Sequence, residues 1–127
     1  MTILNETEYD FTDSLIVDVK RDVSTLDYIL SIDCYVGKDS DSILSLRLKN
    51  VKKIEINTNC FDKKDAYSPY TLSKITKRKK GEYVEFVCES ALSMLPKFVN
   101  DEPLLYCLCD EIYIEQTDEH IDKLLNR

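Results

Sequence analysis

Between residues 26 and 36 every second side chain is apolar: Leu26, Tyr28, Leu30, Ile32, Cys34 and Val36, with Asp27, Ser31 and Asp33 among the positions between them. A period of two marks an extended chain with one face turned to a core and the other to water. A looser version precedes it, in which Phe11, Leu15, Val17 and Val19 are predicted to face inward and Ser14, Asp18 and Lys20 outward. The connection 21–24 is of hairpin length, so these two strands are predicted to be antiparallel neighbours.

The alternation resumes after the turn-rich stretch 37–41, with Leu44, Leu46 and Leu48 set against Ser45, Arg47 and Lys49. Between Val51 and Ile54 the apolar parity slips, which predicts a bend or bulge near Lys52 and Lys53. Residues 57–69 lack periodicity and read as a long loop. Segments 70–78 and 83–89 flank Lys79, Lys80, Gly81 and Glu82 as a second hairpin, with Val84, Phe86 and Cys88 inward. A helical turn or two is predicted over 90–98, halted by Pro96. One strand is predicted over 104–115, with Leu104, Tyr106, Leu108, Ile112 and Ile114 on one parity. Leu105, Cys107 and Cys109 make its first half apolar on both faces, as in a central strand. From Thr117 a short helix follows, capped by Asp118 and striped by Ile121, Leu124 and Leu125. The fold class is mainly β: a single antiparallel domain over 1–127, a sandwich or strongly curled sheet with one or two short helices.

A chain of 127 residues, 43% hydrophobic and 32% charged, is long enough to close one core and is composed as globular proteins are. No apolar run approaches the roughly 20 residues that span a bilayer. Residues 1–10 show no basic-then-apolar signal, so a cytoplasmic protein that engages no membrane is expected. Five cysteines, an odd number placed mostly within strand-like runs, read as structural thiols rather than a disulfide framework.

Charge changes the picture more than composition does. The net charge of −7 conceals three blocks: residues 1–37 hold eight acidic and two basic side chains, 38–80 five and twelve, and 81–127 eleven and three. Either folding sets the opposite blocks side by side as paired strands, or the surface carries a polarity that a partner can read.

Catalytic and cofactor constellations are not evident. A zinc site wants about four Cys or His ligands in paired spacings. The chain offers Cys107-x-Cys109 and a single histidine, His120. Asp39 and Asp41 could hold a hard cation but read better as a solvated turn. Nucleophilic triads need an imidazole base, for which His120 is the sole candidate, and Gly37 and Gly81 are too far apart to build a phosphate-cradling loop. No enzyme activity, cofactor or metal is therefore expected. Lys52, Lys53, Lys63, Lys64, Lys74, Lys77, Arg78, Lys79 and Lys80, near Tyr67 and Tyr70, form a cluster that reads first as a solvated hairpin and second as a contact for an acidic protein. Nucleic acid is a poor fit to a chain of this net charge. The acidic blocks are the stronger lead. If one sheet carries both, it would attract a basic protein, and Asp18, Asp22, Asp27, Asp33, Glu111 and Glu115 are the candidate partner-binding residues.

Several stretches carry a resemblance. Phe11-x-Asp13-Ser14-x-Ile16-x-Asp18-Val19, then Ile32-Asp33-Cys34-Tyr35, then Leu46-x-Leu48-Lys49-Asn50-Val51-x-x-Ile54-x-Ile56, and finally Cys107-x-Cys109-Asp110-Glu111-Ile112 resemble small bacterial β-rich immunity proteins of polymorphic toxin systems. The resemblance implies a non-enzymatic protein that neutralises a toxin by tight one-to-one binding, often to a basic, nuclease-like domain. Two other expectations stand beside it: a small-ligand-binding β-barrel or carboxylate-using enzyme, and a homo-oligomeric structural or phage accessory protein.

Overall fold

The computed structural model describes residues 2–12, 14–33, 43–57, 71–90 and 103–116. In chain order the elements are β1 (Thr2–Ile3), one 3-10 turn (Glu6–Glu8), β2 (Leu15–Arg21), β3 (Tyr28–Asp33), β4 (Ile43–Lys49), β5 (Lys53–Ile56), β6 (Leu72–Lys80), β7 (Tyr83–Ser90), β8 (Leu105–Cys109) and β9 (Glu111–Gln116). They form two antiparallel sheets, one of five strands ordered β1-β9-β4-β3-β2 and one of four ordered β5-β8-β7-β6, not closed into a barrel. The mainly β architecture read from the alternation is thus the architecture found. Ser90, expected to open a helix over 90–98, instead ends β7. Residues 91–98 and the helix expected from Thr117 lie outside the described residues, as do the loop 58–69, Asp13, Cys34, Val36, Asp39, Asp41, Cys60, Lys63, Lys64, Tyr67, Tyr70 and His120. Among the described residues, no helix is long and apolar enough to cross a membrane.

The core is built as the period of two requires. Leu30 and Ile32 of β3, Leu44, Leu46 and Leu48 of β4, and Ile112 of β9 are all inaccessible to solvent. They share one core with Val84, Phe86 and Cys88 of β7, Leu105, Cys107 and Cys109 of β8, and Ile75 of β6. Cys107 and Cys109 are free thiols within this interior, where Cys88 is buried beside them. A hydrogen bond with Cys109 and burial together push the Cys107 thiol far up. It therefore stays protonated and packs as a small apolar group.

Three parity expectations need correction. In β2, Ile16 is buried and Val17 is 44% exposed, the reverse of the alternation read for that strand. A bulge between Ile16 and Asp18 explains it: Ile16 pairs with Ile32, yet Val19 pairs with Leu30, so one extra residue is absorbed and both Ile16 and Val19 reach the core. Ser14, expected on the outward face, is buried. In the turn that follows β2, Leu26 is 53% exposed although the alternation predicts it inward. The connection is longer than expected and β3 begins only at Tyr28.

The strand expected over 104–115 is two strands in different sheets. β4 pairs with β9 in the larger sheet, while β5 pairs with β8 in the smaller one. The two pairs form one ribbon that turns a corner at Asn50 and Asp110. Asn50 adopts a left-handed φ of 51°, a conformation that asparagine tolerates better than most residues. Its Nδ2 donates to Asp110 Oδ2 at 2.9 Å, Asp110 N–H donates to the Lys49 carbonyl at 2.8 Å, and Lys52 N–H to the Leu108 carbonyl at 2.7 Å. The corner therefore leaves few backbone groups unpaired, and it inverts the parity: Cys107 and Cys109 face the core before it, Ile112 after it. The bend expected near Lys52 and Lys53 is this corner, centred slightly earlier.

The N-terminal segment lies against β6. Leu72 N–H donates to the Ser14 carbonyl at 2.8 Å and Lys77 Nζ to the Leu4 carbonyl at 2.8 Å. Phe11 is buried and stacks on Tyr9 with ring centroids 5.4 Å apart. At the far end of β6, Gly81 and Glu82 make a two-residue turn in which Gly81 has φ +64°. A Cβ there would meet nothing within 4 Å, so only backbone strain opposes a side chain. Gly81→Ala is expected to cost about 1 kcal/mol, read as a lower urea midpoint at unchanged slope. An unchanged or higher midpoint would contradict the left-handed turn.

Candidate functional site

The outward face of the larger sheet carries five of the six candidate residues, Asp18, Asp22, Asp27, Asp33 and Glu115, and three of those five meet at one guanidinium. On β4, Arg47 lies opposite Ile29 of β3 and Tyr113 of β9, and it points outward because Leu46 and Leu48 on either side point in. Its Nε and Nη2 make a two-pronged contact with Glu115, at 2.7 and 2.9 Å. Its Nη1 reaches Asp22 at 3.1 Å and Asp27 at 2.9 Å. Asp27, expected to be exposed, is only 2% accessible. Its carboxylate also accepts Asn50 N–H at 2.8 Å and lies 3.4 Å from Lys49 Nζ. The β2–β3 turn is thus tied to the corner and to the central strand β4, and through Arg47 to Glu115 of β9. A buried charge of this kind persists only because every side of it is answered.

These contacts set the protonation of the cluster. Hydrogen bonds from Ser24 and then from Arg47 hold the Asp22 carboxyl below the usual range. Burial pushes the Asp27 carboxyl up, but the Asn50 N–H and Arg47 outweigh it and the net direction is down. Arg47 likewise lowers Glu115, and Glu115 followed by Asp27 raises Arg47.

Glu111 sits elsewhere. Lys77 of β6 crosses to it at 2.7 Å and so links the two sheets. Asp18 pairs with Lys20 at 3.5 Å on exposed β2, and Asp33 is half-buried at the far end of β3. Among the described residues, five carboxylates (Asp18, Asp22, Asp27, Asp33, Glu115) therefore accompany three cations (Lys20, Arg47, Lys49) on this outward face, while β2 also carries Arg21 and β9 Glu111. Apolar side chains lie among them: half-buried Ile29, Ile43 and Tyr113, and Ile3 at 52% exposure. The residue that sequence reasoning missed is Arg47. Its outward parity is readable, but nothing local marks it as the point where both acidic blocks meet.

The opposite face, on the smaller sheet, is laced by its own pairs. Glu85 is nearly buried and accepts from Arg78 at 2.6 Å, Tyr106 Oη at 2.9 Å and Lys80 at 3.3 Å. Tyr106 first, then Arg78, lower Glu85 from 4.5 to about 2. Lys74 pairs with Glu89 at 3.4 Å and Lys53 with Glu55 at 3.2 Å. Apart from Lys53–Glu55, which lies within it, the basic middle block meets the acidic blocks at Arg47, Lys49, Lys74, Lys77, Arg78 and Lys80, the first of the two arrangements expected from the charge pattern.

An acid limit follows from these lowered carboxylates. A group whose folded pKa lies below its unfolded one stabilises fully above the unfolded value, and that contribution is lost as pH falls through the folded value. For Glu85 the window runs from 4.5 down to about 2, and Asp22, Asp27 and Glu115 act in the same direction. The melting temperature is expected to fall steadily on acidification below about pH 5. A melting temperature that held or rose there would contradict the pairing.

Compared with known proteins, the chain matches no family model, no curated protein and no solved structure.

Proposed function

We propose that this chain is a non-enzymatic protein-binding domain of the immunity type, which neutralises a basic toxin domain by covering it with the outward face of its larger sheet. The observation that carries this reading is the composition of that face: among the described residues carboxylates outnumber cations, and Ile3, Ile29, Ile43 and Tyr113 lie among them on paired strands. Excess negative charge steers a basic partner and speeds encounter, while apolar and aromatic side chains on a rigid scaffold supply the desolvated contact that slows release. Because Arg47 is already satisfied by three carboxylates, it does not repel the approach of a partner's lysine or arginine as a bare cation would. The strand motifs that resemble those of immunity proteins point the same way.

Affinity purification of the chain from its native host tests the reading. A stoichiometric complex with a basic protein is expected, with an association rate that falls about tenfold or more between low and physiological salt while dissociation changes less. Asp18→Lys should slow association without altering the fold. Recovery of the chain alone under all conditions would overturn it.

A further inference from the structure

One end of the sandwich, away from the Arg47 face, carries a shallow groove with a different chemistry. It is lined by Arg21, Leu26, Tyr28, Val51, Lys52, Lys53 and Ile54, none of them acidic. Half-buried Tyr28, Val51 and Ile54 and exposed Leu26 supply its apolar part, and exposed Arg21, Lys52 and Lys53 its larger polar part. The β2–β3 turn explains the segregation. Its carboxylates, Asp22 and Asp27, are drawn to Arg47 on the outward sheet face. That leaves Leu26 at 53% and Val23 at 94% exposure on the same turn. Backbone bonding fixes the arrangement, with Val51 N–H donating to the Leu26 carbonyl at 2.8 Å.

The groove's cations are available. Among the described residues Arg21 and Lys52 form no ion pair, and the carboxylate that Lys53 meets is the exposed Glu55. A pair so open to solvent is worth little in water. Lys52 Nζ stands 5.9 Å from the Tyr83 ring centroid, a contact that orients it without neutralising it. At the same end of the smaller sheet, exposed Lys79 stands near exposed Glu82, while Lys80 is taken up by Glu85, so the groove's positive character rests on Arg21, Lys52 and Lys53.

We propose that this groove is a second binding site, which takes a short acidic peptide segment bearing a large apolar side chain from a protein partner. The apolar side chain would seat over Leu26, Val51 and Ile54, and carboxylates on either side of it would meet Arg21, Lys52 and Lys53. Charge complementarity selects this occupant: a basic segment would be repelled by all three cations, and a purely apolar one would leave them unanswered. Nucleic acid would answer the cations as well, and its binding is therefore one outcome of the test. The same turn shapes both places, but the groove's lining includes none of the residues gathered at Arg47, so the two readings can fail separately.

The test is an amide NMR titration of the full chain with a synthetic peptide carrying one phenylalanine between pairs of aspartates. Shifts are expected at Leu26, Tyr28, Val51, Lys52 and Ile54, with Arg47 and Glu115 unmoved. Lys52→Glu combined with Lys53→Glu should weaken binding by about tenfold or more. Leu26→Ser should weaken it comparably, and since all three side chains are exposed the melting temperature should hold. A phenylalanine-to-serine peptide should bind more weakly than the parent, and a lysine-flanked one not at all. The proposal is overturned if the acidic peptide causes no shifts at millimolar concentration, if the lysine-flanked peptide shifts the same residues, or if a single-stranded oligothymidylate of equal charge binds the groove more tightly than the peptide does.

Discussion

Arg47→Met is expected to lower the unfolding free energy by about 3 kcal/mol and the melting temperature by on the order of 10 °C. Methionine preserves much of the stem that packs between Ile29 and Tyr113, so the change isolates the guanidinium. Without it, Asp27 keeps Asn50 N–H and Lys49 but loses its closest cation while remaining buried. Asp22 and Glu115 then add repulsion where each had an opposite charge at 3.1 Å or less. The pH dependence separates this from lost packing. Carboxylates crowded without a cation hold their protons more tightly when folded than unfolded, so mild acid relieves the variant while it weakens the native chain. The gap between the two melting temperatures should therefore narrow as pH falls from about 6 to about 3. A gap that stays constant would assign the loss to packing, and a loss below about 1 kcal/mol would place the pair among weak surface contacts.

Phe86→Ala is expected to cost about 4 kcal/mol, more than the loss of the Arg47 guanidinium. Phe86 is wholly buried on β7, where its strand neighbours are Cys107 of β8 and Lys77 of β6. Those flanking side chains are fixed by paired backbone and cannot move in to fill the space left behind. A domain of ordinary stability, roughly 5–15 kcal/mol, would be left marginal. Urea unfolding followed by tyrosine fluorescence or circular dichroism reads the loss directly. A cost under about 1.5 kcal/mol would mean that the interior collapses around the site and is looser than its burial implies.

What is legible in the sequence follows from how strands encode themselves. Leu44, Leu46 and Leu48, or Val84, Phe86 and Cys88, alternate with polar or less apolar neighbours, and their faces are readable because one parity dominates. Where both parities are apolar, as at Leu104 to Cys109, alternation carries no sign, and the switch of sheets at Asp110 leaves no mark in it. The bulge at Val17 is hidden for a related reason, since Leu15, Ile16, Val17 and Val19 all qualify as core residues and only pairing with β3 chooses among them. The candidate acids are picked for charge, and Asp22, Asp27 and Glu115 do converge. They converge on a cation of the same chain, however, and the Arg47 that answers buried Asp27 lies 20 residues away. Local pattern cannot register such a partner. The groove at the end of the sandwich is invisible for the same reason, because Arg21 and Leu26 meet Val51, Lys52 and Ile54 only through the corner.

The most direct measurement is a methyl NMR spectrum of the isoleucine-labelled chain, free and in complex with the basic protein recovered from its native host. Protein binding through the larger sheet requires the δ1 methyl signals of Ile3, Ile29 and Ile43 to shift or broaden on complex formation. Those three signals remaining in place while a complex forms would contradict it.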